Sequence, residues 1–245
     1  MYRIKVCGVK TEQELDIVCQ HRIYGVSAVG FISGVRYKTS DAIPPEKVGY
    51  FFKKVPYDIL RVVVTHLNNF REINNLLNAV LRSYRSNLLL GSSTSFALQL
   101  QDDIFPEDIR SIKTYYPEVF IIKTFHVPSG DVSQDDLARL IQYISTYVGE
   151  VDAILLDSRT DDKIGGTGKT HNWDISRAIV DYFRPFPVLL AGGLNPSNVE
   201  QAIKAVRPFG VDANSGLKGE DGFKDEEKVK DFFLKAYNAL CKLEQ

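Results

Sequence analysis

Strand-length apolar segments alternate with amphipathic helical segments eight times along the 245 residues of this chain. The helical pattern is clearest over residues 70–84, where one face carries Phe70, Ile73, Leu76, Leu77, Val80, Leu81 and Tyr84. Strands that alternate with helices predict a parallel sheet, and eight such units in a chain of this length predict a closed (β/α)8 TIM barrel. An open, doubly wound sheet is the alternative fold. Because no linker or low-complexity tract interrupts the pattern, we expect one domain over residues 1–245.

The strand boundaries follow from the points where each apolar segment gives way to polar or turn-forming residues. The first six strands are predicted at residues 3–6, 28–32, 59–64, 96–100, 119–122 and 151–156. The seventh strand leads through two glycines to Asn195, the predicted helix N-cap, and Pro196, the predicted first helical residue. Residues 157–172 are predicted to form a long polar loop, and residues 83–95 an irregular excursion before the fourth strand.

Composition and charge exclude several classes of protein. The formal net charge is −1 with both signs interspersed, so neither a nucleic-acid-binding stripe nor a basic membrane face is indicated. The three cysteines, Cys7, Cys19 and Cys241, form no CxxC pair, which argues against a zinc site and against a disulfide framework. The N-terminus lacks the apolar core of a signal peptide, and no apolar run is long enough to span a membrane. We therefore expect a cytoplasmic protein with no nucleic-acid or membrane partner.

Glycine-rich turns follow the last two strands. The seventh strand ends at Gly192 and Gly193, and the eighth ends in Asn214, Ser215 and Gly216. Turns without bulky side chains expose backbone N–H groups, and two such turns after strands 7 and 8 form a phosphate site in many barrels. A plain strand-to-helix turn is the other interpretation of the first segment taken alone. Together the two turns predict a binding site for a phosphorylated small molecule.

Two residues at the predicted carboxyl ends of strands, Cys7 and Asp157, could exchange protons with a substrate near neutral pH. Lys5 shares a strand face with Cys7, and a nearby ammonium would favour the thiolate, which can act as a base. Asp157 would serve as a general acid if burial at the barrel mouth raised its pKa. The structural alternatives are a buried small hydrophobe for Cys7 and a turn cap for Asp157.

The segment at residues 163–170 (KIGGTGKT) resembles a phosphate-binding P-loop but lacks its first glycine, because Lys163 stands there. His171 likewise occupies the last glycine position of a dinucleotide-binding fingerprint. A mobile loop that covers a phosphorylated ligand is the better interpretation. The histidines have no metal-ligand spacing, so we expect no metal site and structural or solvated roles for His21, His66, His126 and His171. Of these, His66 and His126 lie at strand ends, where they could line a pocket.

Five motifs, in this order, resemble those of the phosphoribosylanthranilate isomerase family of tryptophan biosynthesis. They are spread over nearly the whole chain, at residues 5–8 (KVCG), 155–158 (LLDS), 165–170 (GGTGKT) with Trp173, 190–196 (LAGGLNP) and 210–216 (GVDANSG). The resemblance implies a (β/α)8 barrel that converts N-(5'-phosphoribosyl)anthranilate, an aminoaldose, into the corresponding 1-amino-1-deoxyketose by an Amadori rearrangement. It implies no metal or redox cofactor. A small phosphorylated substrate and a monomeric or homodimeric state are expected.

The resemblance also implies roles for individual residues. It implies that Cys7 removes the proton at ribose C2 as general base and that Asp157 protonates the ring oxygen as general acid. Arg36, after the second strand, corresponds to the arginine that holds the anthranilate carboxylate. The other expected substrate-binding residues are Gly166, Gly192, Gly193, Asp212, Asn214, Ser215 and Gly216.

The chain departs from the family pattern at two places. Residues 38–43 (KTSDAI) intervene between Tyr37 and a Pro-Pro-Glu helix start, at the anthranilate end of the expected pocket. Gln101 stands where the fourth strand of the family ends in a histidine. Two further functions stay open: an isomerase of the same mechanism that acts on another phosphoribosyl amine, and a barrel that binds a phosphorylated ligand without catalysis. The presence of both Cys7 and Asp157 argues against a pure binding role.

Overall fold

A computed structural model shows a closed barrel of eight parallel strands surrounded by helices, and it describes residues 3–86, 96–160, 163–164 and 172–243. The barrel strands are β1 (Ile4–Val6), β2 (Val26–Ile32), β3 (Leu60–Thr65), β4 (Ala97–Leu100), β5 (Phe120–Pro128), β6 (Ala153–Thr160), β7 (Val188–Leu190) and β8 (Gly210–Ala213). Each strand pairs in parallel with its neighbours, and β1 pairs with β8 to close the ring. The ring leaves no barrel edge unpaired. The predicted (β/α)8 barrel is therefore confirmed.

In the part of the chain that the structure describes, eight α-helices connect the strands on the outside of the barrel. They are α1 (Glu12–Gln20), α2 (Pro45–Lys54), α3 (Phe70–Arg85), α4 (Pro106–Tyr115), α5 (Gln134–Ser145), α6 (Trp173–Phe183), α7 (Val199–Val206) and α8 (Glu226–Lys242). Their starts are encoded locally: Thr11 and Glu14 form a capping box at α1, and proline occupies the first turn of α2 and α4. Within the described ranges, no helix combines the length and the apolar character needed to cross a bilayer.

The apolar core forms two layers because the side chains of a strand alternate between its two sides. Outward-facing residues such as Ile4 and Val6 on β1 pack in the large layer between strands and helices. The smaller inner layer fills the barrel and includes Cys7, Ala28, Val62, Ile122 and Leu189. The inward face of β1 therefore points Cys7 into the barrel at the carboxyl end of the strand.

Strands β5 and β6 extend beyond the ends of their apolar sequences. The sequence predicted ends at residues 122 and 156, but the two strands pair continuously up to Pro128 and Arg159. A short antiparallel strand, Lys163–Ile164, then pairs with the end of β6. Backbone pairing between neighbouring strands sustains this extension without a continuous apolar sequence. Asp157 therefore lies within a strand, opposite His126, and the predicted loop at residues 157–172 was wrong in its first residues.

Helix α7 begins at Val199, three residues after the predicted start at Pro196. The side-chain oxygen of Asn195 accepts a hydrogen bond from the Ser197 N–H at 2.8 Å, so Asn195 caps a turn that precedes the helix. The N-cap of the helix itself is Asn198. In the excursion predicted at residues 83–95, α3 continues to Arg85, and residues 87–95 lie outside the described ranges.

Candidate active site

The barrel opens at the carboxyl ends of its strands into a cavity of about 630 Å³. Most of the predicted site residues line this main cavity: Cys7, Asp157, Gly192, Gly193, Asp212, Asn214 and Ser215. Much of the remaining wall comes from the loop after β2 and from the ends of β3 and β4, through Tyr37, Lys38, Thr39, Ser40, Asp41, His66, Gln99 and Gln101. Residues far apart in the chain thus meet at the rim where (β/α)8 barrels carry their active sites.

Cys7 lies buried at the end of β1, where its backbone N–H donates to the Ala213 carbonyl at 2.9 Å. Lys5 is also buried, but its ammonium donates to the Asp212 carboxylate at 2.7 Å. Burial raises the pKa of the Cys7 thiol, and although Lys5 and Lys224 lower it, Asp212 raises it again. Lys5 therefore favours the Cys7 thiolate, as its shared strand face suggested, but burial is the larger effect and the pKa of the thiol lies above its ordinary value.

Asp157 projects into the main cavity from β6, and its Oδ1 accepts the backbone N–H of Ser158 at 2.8 Å. Burial raises the pKa of Asp157 to about 7, and the negative charge of Asp212 acts in the same direction. The Ser158 hydrogen bond and the Lys5 charge lower that pKa and offset only part of the rise. A carboxyl group with this pKa holds and releases a proton near neutral pH, which is the property required of a general acid.

The turns after β7 and β8 depend on glycines at positions where a side chain would not fit. Gly192 and Gly193 have φ values of +81° and +66°, in the left-handed region that other residues avoid. A Cβ atom on Gly192 would overlap Ser158, and one on Gly216 would overlap the carbonyl group of Leu194. The two predicted phosphate turns are therefore in direct contact with each other at the rim of the barrel.

Asp41, within the extra segment at residues 38–43, is a site residue that the sequence did not reveal. Its buried carboxylate accepts hydrogen bonds from the Lys218 ammonium at 2.5 and 2.6 Å and from the Asn214 amide at 3.1 Å. The Asn214 side-chain oxygen in turn accepts from the Lys224 ammonium at 2.7 Å. These contacts tie the extra segment to the turn after β8, so the segment forms a wall of the main cavity. The only sequence signal was the departure from the family pattern.

Two of the histidines lie at cavity walls, as their strand-end positions suggested. His66 lines the main cavity, and its Nε2 lies 3.0 Å from the Tyr37 hydroxyl. His126 lines a neighbouring cavity that shares Gln101 with the main one. Gln101, at the position of the family histidine, accepts hydrogen bonds from the Gln99 amide at 3.0 Å and from the Thr124 hydroxyl. The polar side chains on this wall are therefore engaged with one another.

The structure does not bring Arg36 into the main cavity. Its guanidinium pairs with Glu72 of α3 at 2.7 Å, and both side chains are exposed. Gly216 does not line the main cavity itself but adjoins Leu194, which does. Gly166, the remaining predicted site residue, lies outside the described ranges.

The comparisons with known proteins agree with this geometry. The sequence model described as N-(5'-phosphoribosyl)anthranilate (PRA) isomerase matches residues 101–235. The chain belongs to the phosphoribosylanthranilate isomerase family. N-(5'-phosphoribosyl)anthranilate isomerase 2 of Methanosarcina mazei is 35% identical to it over 243 residues, which cover 98% of this chain and 96% of that protein. The isomerase of Haloferax volcanii is 35% identical over 239 residues, with 98% and 95% covered.

Solved phosphoribosylanthranilate isomerase structures share the fold. The enzyme of Pyrococcus furiosus superposes with a TM-score of 0.75 at 28% identity, covering 97% of this chain and all of that one. The Thermotoga maritima enzyme superposes with a TM-score of 0.70 at 28% identity and the same coverage. A further isomerase, in complex with reduced 1-(o-carboxyphenylamino)-1-deoxyribulose 5-phosphate, has a TM-score of 0.67 at 25% identity, again with the same coverage. This phosphoribosylanthranilate isomerase family member is therefore an enzyme, and its main cavity is the candidate active site.

Proposed function

We propose that this isomerase converts N-(5'-phosphoribosyl)anthranilate into 1-(2-carboxyphenylamino)-1-deoxyribulose 5-phosphate, the Amadori step of tryptophan biosynthesis. In this proposal Cys7 is the general base and Asp157 is the general acid. One observation carries the assignment: a thiol and a carboxyl group with a pKa of about 7 line the same cavity as two adjoining glycine turns. A binding protein would need the turns for a phosphate but would gain nothing from the acid–base pair.

The residues act in sequence on the substrate. Asp157 donates its proton to the ring oxygen, the bond between that oxygen and C1 breaks, and the nitrogen lone pair forms a C1 iminium. Cys7, as thiolate, removes the proton from C2, and the released electron pair forms the C1–C2 double bond and neutralises the nitrogen. The resulting enolamine gains a proton at C1 and loses the one on the C2 hydroxyl, which gives the ketose. The positive iminium beside C2 favours the thiolate and adds to the effect of the Lys5 ammonium, which acts in the same direction.

The phosphate anchor gives the first prediction. We expect a crystal grown with inorganic phosphate to show the anion within hydrogen-bond distance of the backbone N–H groups of Gly193 and Gly216. Binding there orients the ribose between Cys7 and Asp157 and contributes to both binding and alignment. An anion bound elsewhere, with the rim between these turns empty at high phosphate concentration, would contradict the proposed anchor.

Arg36 gives the second prediction. We propose that its guanidinium leaves Glu72 for the substrate carboxylate, an exchange that costs little because exposed ion pairs contribute about 0–1 kcal/mol. Arg36→Lys should raise KM about tenfold with kcat nearly unchanged, because the bidentate fork is lost. Glu72→Gln is the matched control, since it frees the guanidinium and should leave KM unchanged or lower. Steady-state kinetics that show no change in KM for Arg36→Lys would assign the carboxylate to another group.

The test of the proposed function is turnover by the purified protein. The product is an isomer of the substrate, so ¹³C NMR of a C2-labelled substrate identifies it by the appearance of a ketone carbon. A phosphoribosyl amine without the anthranilate ring serves as the parallel substrate. Turnover of only the second compound would assign the enzyme to a different phosphoribosyl amine, and turnover of neither would indicate a non-catalytic barrel.

A further inference from the structure

Tyr37 and His66 form a hydrogen-bonded pair on the wall of the main cavity. The Tyr37 hydroxyl lies 3.0 Å from His66 Nε2, and the two rings meet edge to face with centroids 4.7 Å apart. His66 is 3% exposed, whereas Tyr37 is 43% exposed. The imidazole is therefore a buried support, and the phenol is the part that a ligand reaches. The same cavity holds Cys7 and Asp157.

The position of the imidazole hydrogen decides where the Tyr37 hydroxyl hydrogen points. Burial lowers the pKa of His66, so the ring is neutral and carries one N–H. His66 Nδ1 is buried and has no hydrogen-bond partner among the residues that the structure describes. Because a buried N–H without an acceptor is rarer than a buried acceptor without a donor, we place the hydrogen on Nε2. Nε2 then donates to the Tyr37 oxygen, and the Tyr37 O–H is left to donate into the cavity.

The Tyr37 hydroxyl is also well suited to meet an anion as a neutral donor. Burial raises its pKa to about 12, and the negative charges of Asp102, Cys7, Asp41 and Asp157 act in the same direction. The phenol therefore keeps its proton throughout the neutral range. Tyr37 lines the same cavity as Cys7 and Asp157, so a ligand held between those two residues lies on the side that the phenol faces.

We propose that Tyr37, held in place by His66, donates a hydrogen bond to the carboxylate of the substrate's aromatic ring and so selects an ortho-carboxylated arylamine. This inference rests on the proposed function. Arg36, the neighbouring residue, pairs with Glu72 outside the cavity, whereas Tyr37 already faces it. Gln101, which replaces the family histidine, is engaged with other side chains of the wall, so His66 supplies the imidazole on this side of the cavity.

The test compares two stable ligands with the variant Tyr37→Phe. One ligand is reduced 1-(o-carboxyphenylamino)-1-deoxyribulose 5-phosphate, and the other is the same compound without the carboxyl group. Loss of a hydrogen bond to a charged group should weaken binding of the first about tenfold or more in calorimetric titrations and change the second less than about twofold. In turnover, KM should rise by the same factor with kcat kept. Equal losses for both ligands, or no loss for the first, would overturn the proposal.

Tyr50→Phe is the matched control. Tyr50 is 41% exposed and donates a hydrogen bond to Glu12 at 2.8 Å, so it resembles Tyr37 in exposure and bonding but lies on α2, away from the cavity. We expect its binding of both ligands to match the wild type. If Tyr50→Phe lost the preference for the carboxylated ligand as strongly as Tyr37→Phe, the effect would not come from the main cavity.

His66 acts as a positioning residue, and its variants test the orientation of the hydroxyl. His66→Phe should reproduce the selective loss for the carboxylated ligand, whereas His66→Gln, whose amide N–H can replace Nε2–H, should restore most of it. ¹⁵N NMR of the ligand-free wild type should show a protonated Nε2 and an unprotonated Nδ1 on His66. The opposite tautomer would overturn the proposal whether or not the protein turns over phosphoribosylanthranilate, so the two failures are distinguishable.

Discussion

The Cys7→Ser variant should turn over N-(5'-phosphoribosyl)anthranilate about 10²- to 10⁴-fold more slowly than the wild type, with KM within a few-fold of the wild-type value. A serine hydroxyl stays protonated at neutral pH and cannot remove the C2 proton, while its size and position preserve the cavity. Steady-state kinetics separate the two parameters. Cys19→Ser and Cys241→Ser are the controls, because neither residue lines the main cavity, and both should keep full activity.

The pH dependence of the wild type sharpens this prediction. Catalysis requires a protonated Asp157 together with an ionised Cys7, yet the pKa of Asp157 is about 7 and the pKa of Cys7 lies above its ordinary value. The reactive combination is therefore a minor form, and it is most populated between the two pKa values. A plot of kcat/KM against pH should be bell-shaped, with its maximum on the alkaline side of pH 7. Its two apparent pKa values describe Cys7 and Asp157 as a coupled pair. Full activity of Cys7→Ser at that maximum would remove the base from the proposal.

The parts of the fold and site that sequence predicted are those encoded locally. The eight-fold alternation predicted the barrel because each strand and helix carries its own apolar period. The turn glycines were found because their positions demand glycine: Gly192 and Gly193 have positive φ values, and a Cβ atom on Gly216 would overlap Leu194. The predicted end of the first strand was sufficient to locate Cys7 at the rim of the barrel.

The parts that sequence did not predict depend on contacts between residues far apart in the chain. Asp41 and Lys218 are separated by well over half the chain, and no local sequence pattern predicts their ion pair. The buried ammonium of Lys5 pairs with Asp212 across the barrel, and burial raises the pKa of Cys7 despite the nearby Lys5 charge, so both effects depend on packing between distant segments. The alternation of side chains along a strand predicted that Lys5 and Cys7 point to the same side of β1, but it gave no information on the partner of Lys5.

Asp157→Asn should lose activity and gain stability at the same time. Removal of the transferable proton should lower kcat about 10²- to 10⁴-fold. In the wild type, the folded state holds the Asp157 proton up to a pH of about 7, whereas the unfolded chain releases it near the ordinary value of 3.8. The folded state therefore binds more protons between these values, and the free energy of unfolding falls as pH rises through this window. The variant carries no charge at this position and avoids that loss.

The size and pH window of the stability gain test whether Asp157 carries a proton in the folded state. A shift from 3.8 to about 7 corresponds to at most about 4 kcal/mol at 1.36 kcal/mol per unit. The difference in unfolding free energy between Asp157→Asn and the wild type, measured in urea from pH 4 to pH 8, should grow in favour of the variant up to about pH 7 and level off above it. Asp16→Asn, which removes an exposed carboxyl group on α1, should track the wild type within about 0.5 kcal/mol at every pH. If the stability of Asp157→Asn also followed that of the wild type at every pH, the Asp157 pKa would be the same in the folded and unfolded states. The carboxyl group would then be ionised at neutral pH, and a group without a proton cannot open the ribose ring as an acid.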